Sequence, residues 1–316
     1  MKSVAVVAAV LRDGQGRLLL AQRPAGKHLA GRWEFPGGKL EPDESPAEGL
    51  VRELAEELGI GITRSRPLLS LTHHYEDRCI RLLLREVGAW EGVPTGLEGQ
   101  ALAWVSLEQA GTLPMPAADR PMLKALALDP RYAISPDPAA FADTESFLSD
   151  WESRLQAGYG WVQLRANSLT ASELRPLALC CGALARRYRA RWMLNAEPTL
   201  AEAVGADGVH LSLERLRACR ARPLPADRIV TASCQTAEDL RLAGRLGLDL
   251  VTLSPVASIG PGRSSGPQLD WSGFERLCAD SPLPVLALGG VGPDDLPRAR
   301  AAGGFGVAGT SRFDAS

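Results

Sequence analysis

Residues 37–60, GGKLEPDESPAEGLVRELAEELGI, decide how the first half of the chain is read. The run WEFP at 33–36 leads into Gly37-Gly38, and consecutive glycines let main chain approach a ligand closely. Ser45 has the character of an N-cap. Pro46 suits the first helical position, and Glu48 stands three residues after the cap, as a capping box requires. Gly59 supplies a stop. The expected helix is therefore 46–58.

On that helix Leu50, Leu54 and Leu58 recur every fourth residue, with Val51 beside them, giving a core-facing stripe. Glu53, Glu56 and Glu57 fall at i, i+3 and i+4, which crowds their carboxylates together. A solvated acidic face is the ordinary reading of such a trio. Here the trio follows a capped helix start behind a Gly-Gly turn, with Arg52 inside it as a counter-charge. Clustered hard oxygens suit Mg²⁺ or Mn²⁺, whose octahedron is completed by waters and substrate phosphates.

Gly38, Glu44 and the run RELAEELGI at 52–60 match every position of the Nudix box, and this part of the chain resembles the Nudix hydrolases. The resemblance implies an α/β/α sandwich that hydrolyses a nucleoside diphosphate linked to another group. Water attacks phosphorus while metal neutralises the diphosphate charge. It implies Glu53, Glu56 and Glu57 as metal ligands and the Gly37 carbonyl as a further one. Glu44 and Arg52 hold the loop and helix in shape.

Within the family the chain is similar to the MutT type, the sanitising hydrolases of oxidised guanine nucleotides. The likeness spans residues 1–128 and rests on Arg23, His28, Glu34-Phe35-Pro36-Gly37-Gly38, Asp77-Arg78, Trp90-Glu91-Gly92, Glu98-Gly99-Gln100 and Trp104-x-Ser106-Leu107. It implies that Arg23 and Arg78 pair with the nucleotide and that Phe35 packs on the base, with His28 and Glu34 on the substrate side. Glu53 and Glu98 are the catalytic candidates, Glu98 as metal ligand or general base. From the residues alone, Arg23 reads as a solvated strand end and Phe35 as core. For Arg78 and Glu98 the solvated and functional readings stand level. One position departs from the type: Asp119 stands where the group offers an Asn to the base edge. An ionised carboxylate only accepts, so Asp119 takes an N7–H, which oxidised guanine has, but donates to O6 only when protonated.

The chain has 316 residues, 45% hydrophobic and 23% charged, which suggests two domains of an ordinary globular protein. A net charge of −2 gives no global pull toward nucleic acid polymers or anionic membranes. Six cysteines lack metal-ligand spacing and read as reduced thiols. The apolar run 3–11 gives way to the Asp13-Gly14 turn and a second apolar run at 17–22, so a hairpin is expected rather than a leader. No stretch has membrane-spanning length, and a cytoplasmic location is expected. Further strands are expected at 68–74, 79–87 and 101–107, with a helix at 120–128.

From residue 131 the pattern changes. Short apolar runs at 132–135, 161–165, 191–195, 208–212, 229–233, 250–254, 285–289 and 305–309 alternate with helical segments, which predicts a (β/α)₈ TIM-type barrel over 131–316. Gln163, Arg165, Asn195, His210 and Ser233 stand at strand ends, where barrels build their sites. Gly290 and Gly309 read equally as a phosphate cradle or as turn glycines. Gln163-Leu164-Arg165, 205–211 (GADGVHL) and 288–291 (LGGV) resemble thiamine phosphate synthase and its TenI-type relatives, which implies Mg²⁺ and a diphosphate substrate. The resemblance is patchy where chemistry lies. Ala196 and Arg215 replace two metal carboxylates, Asn167 replaces a Lys, Gln235 replaces the tautomerase His, and the phosphate loop is rewritten over 255–266.

The expected whole is an α/β chain with a Nudix domain at 1–128 and a degenerate synthase-like barrel at 131–316. It is a Mg²⁺-dependent (or Mn²⁺-dependent) nucleoside triphosphate pyrophosphohydrolase converting 8-oxo-dGTP to 8-oxo-dGMP and pyrophosphate, without synthase activity. The alternatives are another diphosphate, ADP-ribose or damaged thiamine diphosphate, or a barrel that regulates by binding a phosphorylated ligand.

Overall fold

The structure is a computed structural model that describes residues 2–75, 78–257 and 269–313. The side chain of Arg78, the residue Asp77 and most of the rewritten loop, residues 258–266, lie outside the described residues. The chain forms one compact unit of Met1–Ala127 with Cys278–Pro284, and a second of Leu128–Leu277 with Val285–Ser316.

The first unit holds two small sheets. In one, β1 (Lys2–Leu11) lies parallel to β5 (Arg78–Glu91), which pairs antiparallel with β4 (Gly61–His74). In the other, β2 (Leu18–Gln22) pairs antiparallel with both β3 (Trp33–Glu34) and β6 (Ala101–Val105). Helix α1 (Pro46–Leu58) packs on the first sheet; α2 (Leu107–Thr112) and α3 (Arg120–Leu126) follow β6.

The expected hairpin of 4–11 with 17–22 does not form. Its turn exists, since the Asp13 N–H bonds to the Arg17 carbonyl at 3.1 Å and Arg12 bridges Leu18. Beyond it the strands part into different sheets. Residues 7–11 and 18–21 are all buried, and strands so covered need neighbours that a lone ribbon lacks. The Val51 expectation is also corrected: Val51 is exposed, while Leu50, Leu54 and Leu58 are fully buried. These leucines meet Val7, Ala9, Leu11, Leu19, Ile60 and Val87 in one core. Burial of each such side chain contributes roughly 1.5–3 kcal/mol. Their packing fixes which face of α1 turns away from the core.

The second unit is a closed, all-parallel barrel of eight strands: β7 (Arg131–Ile134), β8 (Trp161–Leu164), β9 (Arg191–Leu194), β10 (Gly208–Leu211), β11 (Ile229–Cys234), β12 (Leu250–Leu253), β13 (Val285–Leu288) and β14 (Gly306–Gly309). Among the described residues seven α-helices lie between these strands: α4 (Thr144–Gln156), α5 (Ala171–Arg187), α6 (Pro198–Ala203), α7 (Leu213–Ala218), α8 (Ala237–Arg245), α9 (Asp270–Ala279) and α10 (Leu296–Ala301). The architecture is the TIM-type barrel that the alternating pattern predicts.

Candidate functional site

Helix α1 starts as its sequence requires. The Ser45 hydroxyl accepts from the Glu48 N–H, the Glu48 carboxylate accepts from the Ser45 N–H, and Gly59 ends the helix in the left-handed conformation at φ 66°. The preceding turn presses on both β1 and α1. At Gly37, φ is 139° and a Cβ would lie 2.2 Å from the Val7 carbonyl oxygen. At Gly38 a Cβ would lie 2.1 Å from Glu53 Oε2. Any side chain at 38 would displace Glu53.

Arg52 organises the carboxylates. Its Nε and Nη2 grip the two Glu44 oxygens at 2.9 Å each, Nη2 also donates to the Lys39 carbonyl at 3.0 Å, and Nη1 donates to Glu53 at 2.9 Å. These bonds hold the Glu44 carboxyl below the usual carboxylate range. Glu57 turns the other way and accepts the Gly37 N–H at 3.1 Å. Its carboxyl is pushed up to about 7, by burial first and by the neighbouring charges of Glu53, Glu98 and Glu34, against the Gly37 bond. The loop bearing Glu98 is tied to the end of α1, for the Leu97 N–H and Gln100 Nε2 both bond to the Glu57 carbonyl at 2.9 Å.

A cavity of about 520 Å³ is lined by Gly37, Gly38, Glu53, Glu57 and Glu98 together with Arg23, His28, Glu34, Phe35 and Asp119. Ten of the twelve positions expected to carry function here, counting Gly38, thus line one space. The remaining two differ. Glu56 is 61% exposed, does not line the cavity, and has one long ion pair to Arg52 at 3.4 Å. Arg78 lies outside the described side chains. Arg23 is braced on two sides, with its Nε on the His28 carbonyl at 2.6 Å and a guanidinium–carboxylate pair to Glu34. Phe35 is 3% exposed, so it serves as core and as cavity wall together.

Among the described residues, no three carboxylate, imidazole or thiol groups converge on an ion as they stand. The carboxylates are held instead by Arg52, by Lys27 and by the Gly37 N–H. The donor set nonetheless fits a hard dication. Three glutamates share one cavity, and their mutual repulsion, visible at Glu57, is what a dication would relieve.

Asp119 was expected as an ionised acceptor, and the structure corrects this. The side chain is buried, its Oδ2 has no partner among the described residues, and it makes no cap bond to α3. Burial, with the Glu34 charge second, pushes its carboxyl up to about 8. The group is therefore a neutral acid at pH 7, with one donor and one acceptor. Nothing in the local sequence signals this, because the cause is tertiary burial. Lys27 is a further cavity residue that the sequence did not single out; it pairs with Glu98 across 71 positions of chain.

In the barrel, His210 on β10 is buried, with Nδ1 2.9 Å from Thr231 Oγ1 and Nε2 2.9 Å from Ser233 Oγ, both on β11. Burial, with the Arg165 charge second, pushes the imidazole down to about 3. The Tyr132 and His210 rings meet at 6.4 Å although β7 and β10 are not neighbours, so both point into the barrel interior. Gln163 Oε1, Asn195 Oδ1, Thr252 Oγ1 and Arg165 Nε are buried atoms without a partner among the described residues. Gly290 has φ 67°, and its carbonyl accepts from Arg312 at 3.3 Å. Gly309 has a packing reason, since a Cβ there would lie 2.8 Å from the Phe313 ring. At the replaced acidic positions, Ala196 offers no ligand and Arg215 donates to Glu197 at 2.9 Å.

Comparison with known proteins matches the chain to two families. Residues 7–125 match the NUDIX domain, and residues 132–313 match the thiamine monophosphate synthase family. The CTP pyrophosphohydrolase of Escherichia coli is 46% identical over 125 residues, 40% of this chain and 92% of that protein. The 8-oxo-dGTP diphosphatase of Escherichia coli is 36% identical over 126 residues, 40% of this chain and 98% of that protein. The thiamine-phosphate synthase of Phocaeicola vulgatus is 26% identical over 174 residues, 53% of this chain and 84% of that protein. Among the described residues no helix is long and apolar enough to cross a membrane.

Proposed function

We propose, for a chain that belongs to the Nudix family over residues 7–125 and to the thiamine monophosphate synthase family over residues 132–313, that the first half is a divalent-metal-dependent nucleoside triphosphate pyrophosphohydrolase. Its products are a nucleoside monophosphate and pyrophosphate. Its preferred substrates are oxidised purine nucleotides of the 8-oxo-dGTP kind, a sanitation of the nucleotide pool. The observation that carries this reading is the single cavity holding Glu53, Glu57 and Glu98 together with Arg23, Phe35 and Asp119. On the same reading the domains are 1–128 and 131–316.

Bound Mg²⁺ or Mn²⁺ supplies charge neutralisation at the polyphosphate and a water that ionises more readily. Glu53, Glu57, Glu98 and the Gly37 carbonyl are the residues that would hold it, with exposed Glu56 an outer member. Arg52 keeps Glu53 aimed at the cavity. Arg23 faces the nucleotide, with His28 and Glu34 fixing it, and Phe35 bounds the base; the resemblance alone assigns Arg78 to the nucleotide.

Neutral Asp119 reads the base. A carboxylic acid donates to O6 and accepts from N7–H of 8-oxoguanine, whereas guanine presents acceptors at both places and is refused. The N3 and N4–H edge of cytosine offers the same acceptor and donor, so CTP is the competing substrate, and the 46% identity to a CTP pyrophosphohydrolase favours testing it first. Glu57→Gln should abolish turnover of both nucleotides while leaving the circular dichroism spectrum unchanged. Retained turnover would sink the metal assignment.

A second reading concerns the barrel. The unpartnered polar atoms of Gln163, Asn195, Thr252 and Arg165 support binding of a small phosphorylated ligand, since each such atom costs roughly 1–3 kcal/mol when left unmade. Ala196 and the Arg215–Glu197 pair do not fit a dication, so this reading includes no synthase turnover. Calorimetry with thiazole and pyrimidine phosphates tests it; absence of heat with every compound would leave the barrel a structural partner.

A further inference from the structure

Lys27 is not part of the box, yet it sits at its mouth. The loop between β2 and β3 is pinned at its base by the Arg23 N–H on the Arg32 carbonyl and the Gly31 N–H on the Arg23 carbonyl, both at 2.9 Å. Arg23 braces it again through the His28 carbonyl. Gly26, Leu29 and Gly31 take left-handed conformations at φ 86°, 60° and 78°, and Lys27, His28 and Leu29 of this loop line the cavity. This brings the Lys27 ammonium into an ion pair with Glu98, within the electrostatic reach of Glu57 and Glu34. The side chain is half exposed.

We propose that Lys27 is a positioning residue with two alternating partners: it holds Glu98 as a stand-in cation before metal binds, and is released to the substrate polyphosphate once metal is bound. This rests on the metal-dependent reading above. The charge argument is direct. Glu53, Glu57 and Glu98 line one cavity, and two of them are already paired with cations. Arg52 serves Glu53 on one side, and Lys27 serves Glu98 on the other. A dication on these glutamates removes the need for Lys27 and brings a polyphosphate, an anion, within its reach. An ammonium on a flexible stem can make that exchange, whereas an arginine held by both Glu44 oxygens and by Glu53, such as Arg52, cannot.

The exchange gives Lys27→Met opposite effects on two ligands. In the full-length protein without nucleotide, Mn²⁺ titration followed by the free-ion electron paramagnetic resonance signal should show about two- to fivefold tighter binding, the range that an exposed ion pair supplies. The KM for 8-oxo-dGTP or CTP should rise by a similar factor, with a smaller change in kcat. Lys27→Arg should restore both. A loop-holding role alone would leave Mn²⁺ affinity unchanged or weaken it, and either result overturns the proposal. Wild-type protein that binds no Mn²⁺ at all would overturn the metal-dependent reading, and this inference with it.

Discussion

The cavity beside α1 and the interior of the barrel solve the same problem, polar groups held inside protein, in opposite ways. The cavity gathers carboxylates and balances them with cations: Arg52 on Glu44 and Glu53, Lys27 on Glu98, Arg23 on Glu34. The barrel interior gathers mostly neutral groups, His210, Thr231, Ser233, Gln163 and Thr252; burial and the Arg165 charge, which no carboxylate balances among the described residues, keep the imidazole uncharged. A carboxylate cluster is stable only with a cation, and it exchanges one cation for another readily. A neutral network wants hydrogen-bond partners and has no use for a dication. The difference explains why one half can support metal-assisted hydrolysis and the other is read as a binding or structural element.

Four substitutions break or sharpen that contrast, taken from the largest effect down. Glu53→Gln removes a carboxylate that Arg52 and Gly38 position, and should lower kcat by at least about a hundredfold, as loss of a metal-site group does. Glu56→Gln, at an exposed carboxylate, should cost less in the same assay. An equal loss would mean that Glu56 turns inward when metal binds.

His210→Gln strikes the neutral network. It strands Thr231 and Ser233 and should destabilise the barrel by about 1–3 kcal/mol in urea denaturation. The sign with pH follows from the lowered imidazole: the unfolded histidine takes a proton below about 6.5 while the folded one resists to about 3, so stability contributed by His210 is lost as pH falls through that window. The variant should therefore show a shallower acid limb than wild type. Equal limbs would show that His210 is free to titrate in the folded state.

Asp119→Asn has the smallest effect at neutral pH and the most specific one. Burial pushes the folded carboxyl up to about 8, so the folded state holds the proton more tightly than the unfolded one, and wild-type stability declines relative to the variant as pH rises from about 4 to about 8. KM for 8-oxo-dGTP should rise above pH 8 in wild type, where the donor is lost, and stay flat in the Asn variant. Parallel profiles would remove Asp119 from base reading.

Much of this was legible in the sequence, for identifiable reasons. Helix α1 and its caps are local: Ser45, Glu48 and Gly59 determine them within fifteen residues. The barrel strands are fully buried parallel strands, which write themselves as continuous apolar runs. Helix α2 was missed although its capping box, Ser106 with Gln109, is present in the sequence. What could not be read is non-local. The turn at Asp13 is visible, but the choice of β5 over β2 as partner for β1 is made by residues far along the chain. The neutrality of Asp119, the pairing of Lys27 with Glu98 and the unpartnered atoms of Gln163 and Asn195 all follow from burial and proximity that only the fold supplies.

The central claim, that the α1 cavity is the catalytic centre of a nucleoside triphosphate pyrophosphohydrolase, is tested most directly by one product assay. Full-length protein is given 8-oxo-dGTP, CTP, dGTP, ADP-ribose and oxidised thiamine diphosphate, with Mg²⁺ and with chelator, and phosphorus resonance identifies the products. The account predicts monophosphate and pyrophosphate from 8-oxo-dGTP or CTP, little from dGTP, none under chelator and none from Glu57→Gln. Turnover that survives Glu57→Gln, or a preference for ADP-ribose or the thiamine compound, would contradict it.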